Sequence, residues 1–196
     1  MSTFKDGPLT PPLARHPALR PLSREHMGGL ILARRLERAV DARTRLDAVV
    51  AFVGAWRREI RAHFDDEERL LLPLGLALHL QRRLLDEHAV LRAAADRCEL
   101  EPERVSMEPG TVESLGRLLR DHIRWEERVL FEYVQRDHPG AVDALCGCAH
   151  QIERERPASR PRYRLDWSPD GHAVAAPSDA GPASDQRPRR AGTPQG

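Results

Sequence analysis

Residues 111–136 read TVESLGRLLRDHIRWEERVLFEYVQR, and within them Val112, Leu115, Leu119, His122, Glu126, Val129 and Tyr133 fall at alternating three- and four-residue steps. That spacing is the inward seam of an amphipathic helix. The seam is apolar except in its middle, where a histidine and a glutamate stand in positions that suit Leu or Val. Residues 44–72 repeat the pattern, with Leu46, Val49, Val53, Trp56, Ile60, His63, Glu67 and Leu70 forming a second seam interrupted by the same pair. Both pairs sit in the string HxxxEE, His63 to Glu68 and His122 to Glu127. A residue four places on lies roughly 40° around a helix and about 6 Å along it, so each pair aims at one point.

Two further helices complete the set. Helix A is predicted from about Ser23, as N-cap, to about Ala42, with Leu22, His26, Leu30 and Ala33 inward. Helix C is predicted from about Leu80 to Arg97, with Leu84, His88, Leu91 and Ala95 inward. Helix B is expected to start near Thr44, where Thr44 and Asp47 resemble a capping box, and to end before Pro73. Helix D follows the breaker Pro109-Gly110 and runs from about Thr111 to Arg136. A short fifth helix is expected near Pro139 to Glu155. His26 is followed by His63 and Glu67, and His88 by His122 and Glu126, so one helical hairpin is used twice around a pseudo-twofold site. Short links between long amphipathic helices predict an all-α, up-down-up-down four-helix bundle. It is expected to span residues 22–156. The Pro-rich segment 1–21 and the Pro- and Arg-rich tail 157–196 read as disordered and dispensable, apart from a possible hairpin where Tyr163, Leu165 and Trp167 alternate before Ser168-Pro169-Asp170-Gly171.

Composition removes several function classes. Lys and Arg number 31 against 30 Asp and Glu, so no basic field favours nucleic acid or an anionic membrane. The longest apolar stretch, Leu70 to Leu80, is broken by Pro73 and Gly75 and is too short to cross a bilayer. Prolines occupy the place where a signal peptide needs an apolar run. Three cysteines, Cys98, Cys146 and Cys148, form neither a disulfide framework nor a zinc ribbon. A cytoplasmic protein is expected.

Six polar or ionisable groups in one core layer would cost several kcal/mol each if unpaired. Metal ions supply the compensation. Imidazole suits iron, zinc, copper or manganese, and two carboxylates able to bridge favour a pair of ions over one. The predicted ligands are His26, His63, Glu67, His88, His122 and Glu126. A single HxxxE is common by chance, whereas two copies in register on two core seams, with one inward His on each other helix, are not.

Glu25-His26, His63-Phe64-Asp65-Asp66-Glu67-Glu68, Glu87-His88 and His122-Ile123-Arg124-Trp125-Glu126-Glu127 resemble the motifs of the hemerythrin-like, or HHE cation-binding, family, over about Leu22 to Arg136. The resemblance implies two non-haem iron ions in an oxo- or hydroxo-bridged centre, and small ligands such as dioxygen, nitric oxide or peroxide. Oxygen-carrying hemerythrins have a second His four residues after the first in the third helix, where this chain has Arg92, and they space the fourth-helix carboxylate differently. The match is closer to the branch with four His and two Glu, which resembles iron-sensing domains and proteins linked to repair of iron centres. The repair proteins carry an N-terminal cysteine-bearing segment that nothing before His26 resembles. Ferritin-like bundles rely on Glu-x-x-His pairs, which none of these histidines has.

Other residues are assigned lesser roles. His79 lies nine places before His88, on roughly the opposite face of a helix. Glu68 and Glu127 are expected to support ligands or face solvent. Glu25, Glu87 and Asp121 each precede a ligand His and are placed either as orienting groups for an imidazole on another helix or as surface charges. Tyr133 is expected to pack in the core, with an approach to the metal as the alternative. His16, His138, His150 and His172 are expected to be exposed, and Cys146 and Cys148 to point apart. The functional expectation is a module that binds or senses oxygen, nitric oxide or iron. A diiron enzyme acting on peroxide or nitric oxide is the alternative, and a structural bundle with adventitious metal is less favoured.

Overall fold

Leu, Ala, Arg and Glu dominate the middle of the chain, and these residues lose little on entering a helix. The computed structural model describes residues 14–155, which are helical nearly throughout and contain no strand. A 3-10 turn, Pro17–Leu19, leads into α1 (Arg20–Glu37). A second rod is built from α2 (Ala42–Ala55), a π turn (Trp56–Ile60) and α3 (Arg61–Leu71). After a 3-10 turn at Leu72–Leu74, α4 spans Leu78–Leu100 and a single-turn α5 spans Pro102–Ser106. The last long rod joins α6 (Pro109–Trp125), a second π turn (Glu126–Leu130) and α7 (Phe131–Asp137). Two short helices follow, α8 (Pro139–Ala144) and α9 (Cys146–Glu155). No helix among the described residues is long and apolar enough to cross a membrane.

Several boundaries differ from those read in the sequence. Ser23 lies inside α1 rather than capping it, and α1 stops at Glu37. The capping box of α2 sits earlier than expected: the Asp41 side chain accepts from the Thr44 N–H at 2.8 Å, and Thr44 Oγ1 accepts from the Asp41 N–H at 3.2 Å. Pro109 opens α6 instead of separating helices, because a first-turn proline lacks only a donor that would have had no partner. The expected fifth helix is two, broken between Ala144 and Cys146. Residues 14–21 belong to the helical body rather than to a disordered segment, with Ala18 and Leu19 fully packed. The expected hairpin at 163–171 lies outside the described residues.

The two π turns also correct the seams. In each, one N–H reaches back five residues, Arg61 to the Trp56 carbonyl and Phe131 to the Glu126 carbonyl. The inserted residue advances the buried face by one position. Counted back from His63, the positions ahead of the first turn are displaced by one, so Val53 and Ile60 are half-buried and Phe52 and Ala55 join the expected Trp56 in the core. Val129 is 44% exposed, and Leu130 and Val134 take the places expected for Val129 and Tyr133.

The apolar core divides into two clusters. One contains Leu32 and Leu36 of α1, Phe52, Phe64, Leu91 and Leu119. The other contains Leu22, Leu70, Leu84, Leu130 and Phe131. The order in which a rod meets the two clusters reverses from each rod to the next, as it does when successive rods alternate in direction. Where the clusters adjoin, each rod carries a buried histidine.

α1 and α6 approach closely at Gly116. A Cβ on Gly116 would lie 2.6 Å from the Ala33 carbonyl oxygen and 2.9 Å from Leu36 Cβ. Backbone cannot swing aside like a side chain, so Gly116→Ala is expected to push the rods apart and destabilise by about 1–3 kcal/mol. Urea unfolding of the variant measures this, and a wild-type midpoint would refute it.

Candidate metal centre

His26 on α1, His63 and Glu67 on α3, His88 on α4, His122 on α6 and Glu126 at the start of the second π turn form one buried layer. None of the six is more than 5% exposed, and Glu67, His88 and Glu126 are fully enclosed. Their surroundings are aromatic: Phe64 stacks on His88 with centroids 3.8 Å apart, and Phe131 stacks on His26 at 5.5 Å.

Each imidazole is fixed from behind. His26 Nδ1 lies 2.6 Å from Glu127 Oε1, His63 Nδ1 2.8 Å from Glu25 Oε2, His88 Nδ1 2.7 Å from Glu68 Oε1, and His122 Nδ1 2.9 Å from Glu87 Oε2. A carboxylate can only accept, so Nδ1–H donates in all four, and every Nε2 is turned inward. The pairing follows the internal repeat. The Glu before the first His of each hairpin holds the second His of the same hairpin, and the Glu after each inward Glu holds the first His of the other hairpin.

The inner faces converge on the two carboxylates. Glu67 Oε1 lies 3.4 Å from His26 Nε2 and 3.2 Å from His63 Nε2, while its Oε2 lies 3.4 Å from His88 Nε2. Glu126 Oε1 lies 3.2 Å from His122 Nε2 and 3.7 Å from His88 Nε2, and its Oε2 lies 3.2 Å from His26 Nε2. Each carboxylate thus offers one oxygen to each side. Among the described residues, the buried side-chain N and O atoms without a hydrogen-bond partner are these four Nε2 and four carboxylate oxygens, together with Arg15 Nε. Eight such atoms in one layer make a donor set that a cation could satisfy. They fall into two sets able to hold an ion, His26, His63, Glu67 and Glu126, and His88, His122, Glu67 and Glu126, each with its donor atoms within 4.8 Å of one another.

Protons can take part of the cation's role. Burial works against charge on His63, but Glu67 and Glu25 outweigh it and raise its pKa to about 9. Burial likewise opposes charge on His122, where Glu126 and Glu87 prevail, again to about 9. His26 and His88 are raised against the same burial penalty by Glu126 and Glu67, with Glu127 adding to the effect at His26. Glu67 is held well below its usual range, despite burial, by His63, His26 and His88, and Glu126 by His122 and His26 despite burial and the neighbouring Glu67.

The structure also places the residues given lesser roles. Glu25, Glu68, Glu87 and Glu127 all hold imidazoles, whereas Asp121 pairs with Arg120 at the surface. His79 is exposed and belongs to neither set. Tyr133 points its hydroxyl toward His138 Nε2, 3.4 Å away, and is not among the groups of the layer. His16 is half-buried against Asp143, and His138 is half-buried rather than exposed; His172 lies outside the described residues. Cys146 and Cys148 are both free thiols. The supporting role of two arginines behind the outer glutamates went unread in the sequence, where Arg92 stood out only for replacing a histidine. Arg83 donates to Glu87 and lies over Trp125, and Arg92 donates to Glu68 and lies over Phe64. Both sit four residues from a residue already singled out, which was the available signal.

Comparison with curated proteins and with solved structures returns no match. Residues 18–134, which contain every histidine and glutamate of the layer and its four outer glutamates, match the family model described as hemerythrin HHE cation binding domain, and the chain belongs to that family.

Proposed function

We propose that this chain is a non-haem diiron protein, with one iron held by His26, His63 and the shared carboxylates Glu67 and Glu126, and a second by His88, His122 and the same carboxylates. The observation that carries this reading is the convergence of eight unpartnered donor atoms whose histidines are all turned inward by Nδ1 hydrogen bonds. Mixed imidazole and carboxylate donors suit iron, and two oxygens per carboxylate suit a pair of ions. Two His and two carboxylate oxygens per ion leave coordination positions for a small ligand. When bound, iron supplies an affinity for dioxygen, nitric oxide or peroxide. The chain's own part is to orient the imidazoles, to keep the layer dry through Phe64, Phe131 and Trp125, and to couple occupancy to folding. That coupling supports a binding or sensing role for oxygen, nitric oxide or iron.

The test is metal analysis of anaerobically purified full-length chain, with an electronic spectrum before and after oxygen. About two irons per chain are expected from the donor count, with a new absorption on oxygenation. Metal content near zero after growth in iron-rich medium refutes the proposal. Rapid catalytic consumption of peroxide or nitric oxide, with equal protease resistance in metal-free and loaded chains, replaces the sensing role with an enzymatic one.

A further inference from the structure

The outer supports of the layer are not equivalent. His88 is fixed by Glu68, and Glu68 accepts from Arg92 at 2.6 Å. His122 is fixed by Glu87, which accepts from Arg83 at 2.7 Å. Both arginines are borne by α4 itself, within a helix of 23 residues. His26 is fixed by Glu127, and there the cation comes from outside the rods. Arg15 donates from one terminal nitrogen to Glu127 Oε2 at 2.6 Å and to the Glu127 carbonyl oxygen at 2.7 Å, and from the other to Glu132 at 3.1 Å. Its guanidinium lies 5.1 Å from the centre of the Phe131 ring, which also stacks on His26. The Arg15 side chain is only 7% exposed.

Arg15 and Arg92 therefore perform the same task on the two halves: each clamps the glutamate that holds a histidine and covers the ring that stacks on it. They differ in what carries them. Among the described residues, Arg15 rides on a segment held by a handful of polar contacts, one of them from Arg20 Nε to the Arg15 carbonyl at 3.3 Å. The His16 N–H donates to Gln135 Oε1 at 2.6 Å, Gln135 Nε2 donates to the Ala14 carbonyl at 3.3 Å, and His16 Nε2 meets Asp143 at 3.1 Å. Beyond these, Ala18 and Leu19 anchor it among the residues of the second apolar cluster. Three of these four polar attachments are exposed and the segment is short, so it opens more readily than a central helix.

We infer that Arg15 is a positioning residue for His26, and that the segment 14–19 is a strap whose docking governs how tightly the His26 and His63 side of the centre retains its ion. The two ions then differ in lability although their donor sets are alike. This rests on the proposed two-ion reading for its metal readout, but not for its effect on His26.

Two measurements on the full chain test it. In the metal-free chain, exchange of the imidazole Nδ1 protons with solvent is followed by nitrogen-15 NMR. Arg15→Gln is expected to speed exchange at His26 about tenfold and leave His88 unchanged, and Arg92→Gln to do the reverse. In the chain loaded anaerobically with ferrous iron, an excess of chelator is expected to remove one ion about tenfold faster from Arg15→Gln than from wild type, with the second ion at the wild-type rate. Gln135→Ala, which loosens the strap without touching Glu127, is expected to give the same pattern in both. Wild-type exchange at His26 in Arg15→Gln and Gln135→Ala overturns the inference, as does equal acceleration of both ions. A wild-type chain that binds no iron defeats the two-ion reading instead, and the exchange result still decides the role of Arg15.

Discussion

Replacing Glu126 by Ala is expected to abolish retention of both ions, not one. Glu126 reaches His122 and His88 with one oxygen and His26 with the other, so both donor sets lose a member at once. The same holds for Glu67→Ala. A histidine replacement is expected to act on one set alone: His63→Ala should halve the metal content, because His88, His122 and both carboxylates keep their places. The outer glutamates give a smaller loss. Glu127→Gln and Glu87→Gln leave all donor atoms in place and only loosen a ring, which costs about 10–100-fold in affinity. His79→Ala is expected to change nothing, since that side chain is exposed on α4 outside both sets. Iron content after dialysis against a competing chelator separates these classes. If Glu126→Ala keeps one ion, the carboxylates are not shared. If Glu68→Gln and Glu127→Gln strip the metal while Glu67→Gln and Glu126→Gln do not, the inward register is off by one residue.

The inner layer was legible in the sequence because helical periodicity is a local property. His122 and Glu126 interrupt a Leu and Val seam within a few residues, and no knowledge of the rest of the chain is needed to see that they face inward. Positions further along the same seam failed, as with Val129 and Tyr133, because a π turn inserts one residue without a compositional mark and moves everything after it. Partnerships across the bundle were illegible for a different reason. That Glu25 belongs to His63 and Glu127 to His26 depends on how rods more than thirty residues apart in sequence are rotated against each other. Adjacency suggested which glutamates mattered and not what they hold. Arg15 was hidden further still. It lies in a Pro-rich stretch that composition marks as unstructured, and its role depends on Glu127, 112 residues away.

Metal uptake is expected to release protons, and affinity to climb steeply with pH until about pH 9. In the metal-free chain His63 and His122 have pKa values raised from 6.5 to about 9, so at pH 7 both rings are protonated at both nitrogens. Nδ1–H stays with Glu25 or Glu87, and the proton on Nε2 must leave before that nitrogen can donate to a cation. Two protons are therefore released from these two residues at pH 7, with more from His26 and His88, which are raised as well. Each released proton makes the apparent affinity rise about tenfold per pH unit, so at least about a hundredfold per unit is expected between pH 7 and 9, flattening above. The stability of the metal-free chain moves in the opposite sense. Raised histidine pKa values contribute stability fully present below 6.5 and lost as pH rises through about 9. The lowered carboxylates Glu67 and Glu126 contribute stability present above 4.5 and lost on acidification. The metal-free bundle should thus be most stable between about pH 4.5 and 6.5 and loosen toward pH 9. The loaded bundle, whose cations replace those protons, should not loosen. Thermal midpoints of both forms across this range, with calorimetry of iron binding in buffers of different ionisation enthalpy, measure the effect. A gap between the midpoints that stays constant from pH 6.5 to 9, with no proton release, would show that the carboxylates do not hold these imidazoles charged. The electrostatic coupling between occupancy and folding, on which a sensing role depends, would then be lost.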